Sequence, residues 1–134
     1  MTASFPKISD GLKAIAETHN AVLCDVWGVL HNGVRVYTDA AHALQQFRAH
    51  GGKVVMITNS PRPSPGVIAQ FADLGVPDGV FDAVVTSGDV TRTLIRQAGG
   101  TVWLLGPARD EPLFDGLQVE RADETNCDTI VCTG

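Results

Sequence analysis

The sequence predicts an α/β domain built on a doubly wound, mainly parallel sheet, and three observations predict it. Short apolar runs alternate with stretches of helical periodicity, short loops join them, and three successive apolar runs end in polar residues. Such alternation implies right-handed crossovers between parallel strands. The runs are apolar throughout rather than at every second position, which predicts strands covered on both faces. In sheets of this kind, ligands bind beyond the carboxyl ends of the strands.

The elements follow in order. Ile8, Leu12 and Ile15 stand at helical spacing and Ser9 can cap them, so residues 8–17 read as a short amphipathic helix over an edge of the core. Ala21-Val22-Leu23-Cys24-Asp25 is the first strand, stopping at a carboxylate and turning through Gly28. Residues 33–37 form a small excursion, after which Asp39 is placed to cap a helix with Ala40, Ala43, Leu44 and Phe47 on one face, ending at Gly51. Lys53 to Ile57 is the second strand, leading into Thr58-Asn59-Ser60. Ser64 as cap and Pro65 in the first turn start a helix bearing Val67, Ile68, Phe71 and Leu74. Residues 81–85 form the third strand and end in Thr86-Ser87-Gly88-Asp89, and Val90, Leu94 and Ile95 continue as a helix to Gly99. Residues 101–105 and 129–132 are two further strands, separated by an irregular stretch around Pro107 and Pro112.

Composition narrows the functional classes. With 134 residues, 44% of them hydrophobic, the chain can bury one core but hardly two independent ones. A net charge of -5 with 10 Lys plus Arg and no basic run gives no footprint for nucleic acid. No segment approaches the ~20 apolar residues of a membrane span, and the first residues lack the pattern of a signal peptide, so a cytoplasmic protein is expected. Cys24, Cys127 and Cys132 lack metal-ligand spacing and read as reduced, mostly buried thiols. The last apolar run stops just before Gly134, where a closing helix would be expected, which suggests a fragment.

Asp25, Thr58-Asn59 and Thr86-Ser87 collect polar groups at the ligand-binding edge. A carboxylate at a strand tip is able to act as nucleophile, metal ligand or turn residue. Phosphoryl transfer to an aspartate needs an exposed carboxylate, a divalent cation, and hydroxyl or amide donors for the equatorial oxygens. Thr58 and Asn59 supply such donors. Other phosphate readers fit poorly: Gly51-Gly52-Lys53 precedes a strand, not a helix, and no GxGxxG follows the first strand.

The run Leu23-Cys24-Asp25-Val26-Trp27-Gly28-Val29-Leu30-His31-Asn32-Gly33, followed by Ile57-Thr58-Asn59-Ser60 and then Thr86-Ser87-Gly88, resembles the haloacid dehalogenase superfamily, and within it the class IIA phosphatases. The resemblance implies a core with an inserted cap: residues 1–98 as the N-terminal part of the core, and residues 99–134 as linker and the start of a truncated cap. It implies a phosphatase of a small phosphorylated metabolite, with Asp25 as the nucleophile that forms an aspartyl-phosphate. Asp25 and the backbone carbonyl of Trp27 would ligate Mg²⁺, Thr58 and Asn59 would hold the phosphoryl oxygens, and a homo-oligomer could form through the cap.

Two departures stand out. The family's phosphatases carry an acid-base aspartate two positions after the nucleophile, where this chain has Trp27, and indole exchanges no proton at neutral pH. The family's later lysine and acidic metal ligands have no counterpart among Lys7, Lys13 and Lys53. The chain alone is therefore expected to be inactive. The alternative is a non-catalytic phosphate-binding or regulatory module with a degenerate site. A receiver-like domain is disfavoured because the preceding paired acids are missing. Among neighbours, His31 reads as an exposed loop residue able to take over proton transfer, Arg62 as a solvated arginine within reach of phosphate, Ser87 and Asp89 as helix caps, Trp27 as packing over the loop, Trp103 as core or interface, and His19, His42 and His50 as surface.

Overall fold

The structure is a computed structural model and describes residues 11–133. Lys7, Ile8 and Ser9 lie outside the described residues. Of the leading helix, the described part is α1 (Lys13–Ala16), which has no fully buried residue. β1 (Ala21–Asp25), α2 (Thr38–Ala49), β2 (Lys53–Thr58), α3 (Ser64–Leu74), β3 (Ala83–Thr86) and α4 (Ser87–Ala98) follow in the expected alternation. After them come β4 (Thr101–Leu105), a 3₁₀ helix (Ala108–Phe114), β5 (Glu120–Arg121) and β6 (Thr129–Cys132). β1, β2 and β3 form one sheet in that order, and β4 lies between β5 and β6 in a second, parallel to both. No helix among the described residues is long and apolar enough to cross a membrane.

The chain divides into two compact units, residues up to Met56 with Leu74–Ala83, and Ile57–Asp73 with residues from Val84 onward. In the first unit, α2 buries Ala41, Leu44 and Phe47, and Cys24, Val26, Leu30, Val54, Met56 and Val80 are buried as well. Ala41 rather than Ala40 and Ala43 is fully buried, standing three residues before Leu44 as Leu44 stands three before Phe47. Strand starts are aligned in parallel: Lys53 N–H donates to the Asn20 carbonyl (2.9 Å), and Asp82 N–H to that of Val54 (2.8 Å). The Asp82 carboxylate accepts from Arg48 (2.8 and 2.9 Å), Lys53 Nζ (3.1 Å) and the Val54 N–H (2.9 Å). The Arg48 guanidinium, followed by the Val54 amide and Lys53, holds that carboxyl well below the usual carboxylate range. Lys53 thus serves the amino end of β2.

The second unit is built on Ile95, Val102, Leu113, Phe114 and Val131, with Leu104, Leu117 and Val119 packed around them. Arg121 lies 3.9 Å over the Phe114 ring and pairs with Glu111 at 3.1 Å. The stretch expected to be irregular is the 3₁₀ helix, held to α4 by Arg92, which donates to the carbonyls of Leu113 (2.6 Å) and Asp115 (2.7 Å).

Several sequence expectations need correction. Leu23 is 70% exposed, and Ile57 and Val85 are exposed too, while Cys24, Met56 and Thr86 are buried. Along β1, β2 and β3 burial therefore alternates, with Cys24, Val54, Met56, Thr58 and Thr86 turned inward. On the helices, Ile68, Val90 and Leu94 are exposed because only the stripes of Val67 with Phe71 and of Ile95 meet neighbours. Cys24 is buried, but Cys127 is half-buried and Cys132 exposed.

The caps also differ. α2 starts at Thr38, so Asp39 lies in its first turn, where a carboxylate suits the helix dipole, and Tyr37 is the cap residue with no side-chain bond. Ser64 is already helical, and its N–H donates to the Asp89 carboxylate at 3.1 and 3.2 Å. For α4 the cap is Thr86, whose Oγ1 accepts from the Asp89 N–H at 3.0 Å, since the amide at the third helical position needs an acceptor three residues earlier. Neither Ser87 nor Asp89 caps its own helix.

Candidate active site

Asp25 ends β1 with its residue exposed, and one carboxylate oxygen accepts the Val26 N–H at 2.7 Å. The chain then folds back tightly: the Val26 carbonyl accepts from Leu30 (2.8 Å) and His31 (3.3 Å), and Gly28 N–H donates to the His31 carbonyl (2.7 Å). Gly28 has φ +80°, a left-handed conformation that glycine adopts without steric cost. Cys24 donates its thiol to the Asp25 carbonyl at 3.2 Å, and burial, followed by the charge of Asp25, pushes that thiol up, keeping it protonated and unreactive. Trp27 is 66% exposed, yet its indole lies beside the loop, with Nε1 3.6 Å from where a Cβ on Gly33 would stand. Val26 and Leu30 point inward instead and hold the turn.

In the second unit, Thr58 ends β2 buried and Asn59 follows it exposed. Thr58 Oγ1 accepts the Ser60 N–H at 3.2 Å, which leaves the hydroxyl proton free to turn toward an anion. Thr58 and Ser87 line one small cavity of about 240 Å³ together with Ile57, Val85, Thr86 and Val90. Two of the strand tips singled out by sequence therefore meet. Gly88 makes that approach possible: its N–H donates to the Ser60 carbonyl (3.1 Å), and a Cβ there would stand 2.6 Å from the backbone carbon and oxygen of Arg62 and still closer to the Pro61 carbonyl. Backbone cannot yield as a side chain does. Gly88→Ala is expected to destabilise the protein by about 1–3 kcal/mol, read as a lowered urea midpoint. An unchanged midpoint would show that the loop after Thr58 shifts freely.

His31 corrects the expectation of an exposed loop residue. It is only 2% exposed, and its Nδ1 accepts the Gly33 N–H at 3.0 Å, which requires a ring nitrogen without a proton. Burial pushes its pKa down. A neutral, enclosed imidazole is unsuited to replace a missing acid, so His31 is structural. Its pKa is lowered in the folded state, so the unfolded chain takes up a proton first as pH falls. The stability His31 contributes is whole above the unfolded value of about 6.5 and is lost below it. The stability advantage of the wild type over His31→Asn should therefore shrink between about pH 7 and pH 5 in urea titrations; a constant difference would contradict this.

Arg62 is exposed, as are His19, His42 and His50, and Trp103 is half-buried. Sequence reasoning did not single out Gly88. Glycine after a strand reads as an ordinary turn. The carboxylate of Asp25 and the carbonyl of Trp27 are hard oxygen donors of the kind Mg²⁺ takes, and the carboxylate has only the Val26 amide as partner among the described residues. No group of three or more His, Cys, Asp or Glu side chains placed to hold a metal occurs among the described residues. The donor set fits Mg²⁺ in kind and supplies part of a shell.

The chain matches the family model for haloacid dehalogenase-like hydrolases over residues 22–120. It is 44% identical to a crystal structure of a hydrolase of the haloacid dehalogenase-like family from Brucella suis, with a TM-score of 0.88, covering 96% of this chain and 49% of that one. NagD from E. coli K-12 is 27% identical with a TM-score of 0.64, covering 86% of this chain and 46% of that one. A glycerol phosphate phosphatase from Mycobacterium tuberculosis, solved in complex with magnesium, shares the fold at 24% identity and a TM-score of 0.66, covering 90% of this chain and 37% of that one. No curated protein matches the chain. The chain thus spans about half or less of the length of these solved relatives. By its match across residues 22–120, the chain belongs to the haloacid dehalogenase-like hydrolase family.

Proposed function

We propose that this chain carries the nucleophile and the phosphate-holding loop of a Mg²⁺-dependent class IIA phosphatase acting on a small phosphorylated metabolite in the cytoplasm. The observation that carries the reading is the exposed Asp25 carboxylate at the tip of β1, tied down by a single amide and set in the family's motif. In this reading a carboxylate oxygen of Asp25 attacks phosphorus, the bond to the leaving oxygen breaks, and an aspartyl-phosphate forms that water then hydrolyses. The Thr58 hydroxyl and the Asn59 amide hold the phosphoryl oxygens. Mg²⁺, held by the Asp25 carboxylate and the Trp27 carbonyl, would neutralise charge on the transferred group. A divalent cation is in keeping with the magnesium and calcium complexes of the mycobacterial protein of the same fold.

Residues 1–98 would be core and residues 99–134 the start of the cap. The relatives' additional length is where a lysine and further acids would come from, so this chain by itself would not turn over. A second reading is favoured by Trp27, which supplies no proton to the leaving group: the site would bind a phosphorylated ligand without hydrolysing it. The test is hydrolysis of 4-nitrophenyl phosphate by a protein that joins this chain to a cap and the family's later motifs. Turnover that chelation by EDTA abolishes and Mg²⁺ restores supports the enzyme; phosphate binding without turnover supports the second reading.

A further inference from the structure

Past Asp25 the chain keeps the alternation of β1: Cys24 and Val26 are buried, while Asp25 and Trp27 are exposed. Side chains two positions apart in extended backbone stand on one side, roughly 7 Å from each other along the chain. The Trp27 indole is thus the exposed neighbour of the Asp25 carboxylate. The fold-back that follows has no proton to give a group bound there. From Val26 to Val34 it contains no Asp, Glu, Lys or Arg. Asn32 spends its Oδ1 on the N–H groups of Val34 (3.0 Å) and Arg35 (2.9 Å). His31 is enclosed, with Nδ1 accepting the Gly33 N–H. What the fold-back exposes is apolar: Trp27, Val29 and Val34.

These features constrain the group that leaves phosphorus at Asp25. An oxygen that receives no proton must depart as a stable anion. An alcohol does not; a plain phenol, with a pKa of about 10, does so poorly; a carboxylate, with a pKa of about 4, departs as it is. A second phosphate also departs readily, but it brings further negative charge to a fold-back that holds no cation. We infer that the site at Asp25 is built for an acyl phosphate with an apolar, planar acyl group, which lies against the Trp27 indole and leaves as a carboxylate. This rests on the phosphatase reading and names its substrate class. A carboxylate oxygen of Asp25 bonds to phosphorus, the bond from phosphorus to the acyl oxygen breaks, and the electron pair leaves on the carboxylate with no proton moved. Donor and aspartyl-phosphate are the same kind of mixed anhydride, so the transfer runs nearly level. Water then bonds to phosphorus, the bond to Asp25 breaks, and the proton of the water passes to solvent.

Benzoyl phosphate and benzyl phosphate carry the same ring and differ in the leaving group, a carboxylate against an alkoxide. In a protein that joins this chain to a cap and the family's later motifs, kcat/KM for the first should exceed that for the second by about 10³-fold or more. Trp27→Asp should shrink this preference by about 10²- to 10⁴-fold, the contribution of a general acid. Trp27→Ala, which removes the indole and adds no acid, should keep the preference and raise KM for benzoyl phosphate by about three- to tenfold through lost stacking. Hydrolysis of 4-nitrophenyl phosphate reports on the phosphatase reading separately. If that ester is not hydrolysed, the reading and this inference fall together. If it is hydrolysed while benzyl phosphate keeps within about tenfold of benzoyl phosphate, while the preference survives Trp27→Asp, or while KM does not move in Trp27→Ala, this inference alone is overturned.

Discussion

Asp25→Asn is expected to lower phosphatase kcat by on the order of 10⁴-fold or more in a protein that joins this chain to a cap and the family's later motifs. The amide is close in size to the carboxylate, still accepts the Val26 N–H, and leaves the fold-back through Gly28 intact. What it removes is the proposed nucleophile. Asp25 is exposed at a strand tip, so the substitution should not change stability by more than about 0.5 kcal/mol. Loss of activity with an unchanged urea midpoint would therefore be a chemical effect. Acid quenching during turnover should trap one phosphoryl group on the wild-type peptide that contains Asp25, and none on the variant. Activity retained in the variant, or a phosphoryl group trapped elsewhere, would sink the assignment.

The order of elements was readable because apolar runs, glycine-terminated helices and short loops all agreed. β1 and β4 begin and end where their apolar runs do, at Ala21–Asp25 and Thr101–Leu105. Which side of each run would be buried was not readable. Leu23 and Cys24 look alike as strand residues, and only the layers packed on the sheet make one exposed and the other buried. Caps were misassigned for a similar reason: Ser64 has the right chemistry, but the group that satisfies its amide comes from Asp89, 25 residues away. Asp25, Thr58 and Asn59 were proposed from their motif, and β1 does end at Asp25 and β2 at Thr58. The enclosure of His31 was not readable, because it depends on the chain folding back so that Gly33 donates to the ring.

Trp27→Asp is expected to raise kcat for a phosphate ester with a poor leaving group by about 10²- to 10⁴-fold, the usual contribution of a positioned general acid. The indole is 66% exposed and buries little, so a smaller polar side chain costs little stability there. The backbone carbonyl proposed to face the metal is retained in any residue. The gain should depend on the leaving group. An alkyl phosphate needs a proton on its departing oxygen and should gain most, whereas 4-nitrophenyl phosphate departs as a stabilised phenolate and should gain less in that step. A new basic-side fall in the pH profile of the alkyl ester should accompany the gain, reporting the carboxyl that must be protonated to act as acid. His31 cannot mask this result, because its neutral ring is committed to the Gly33 amide. If turnover rises for both esters equally, Trp27 limits substrate entry rather than proton transfer. If it does not rise at all while phosphate still binds, the site lacks more than its acid, and the binding-module reading gains over the enzyme.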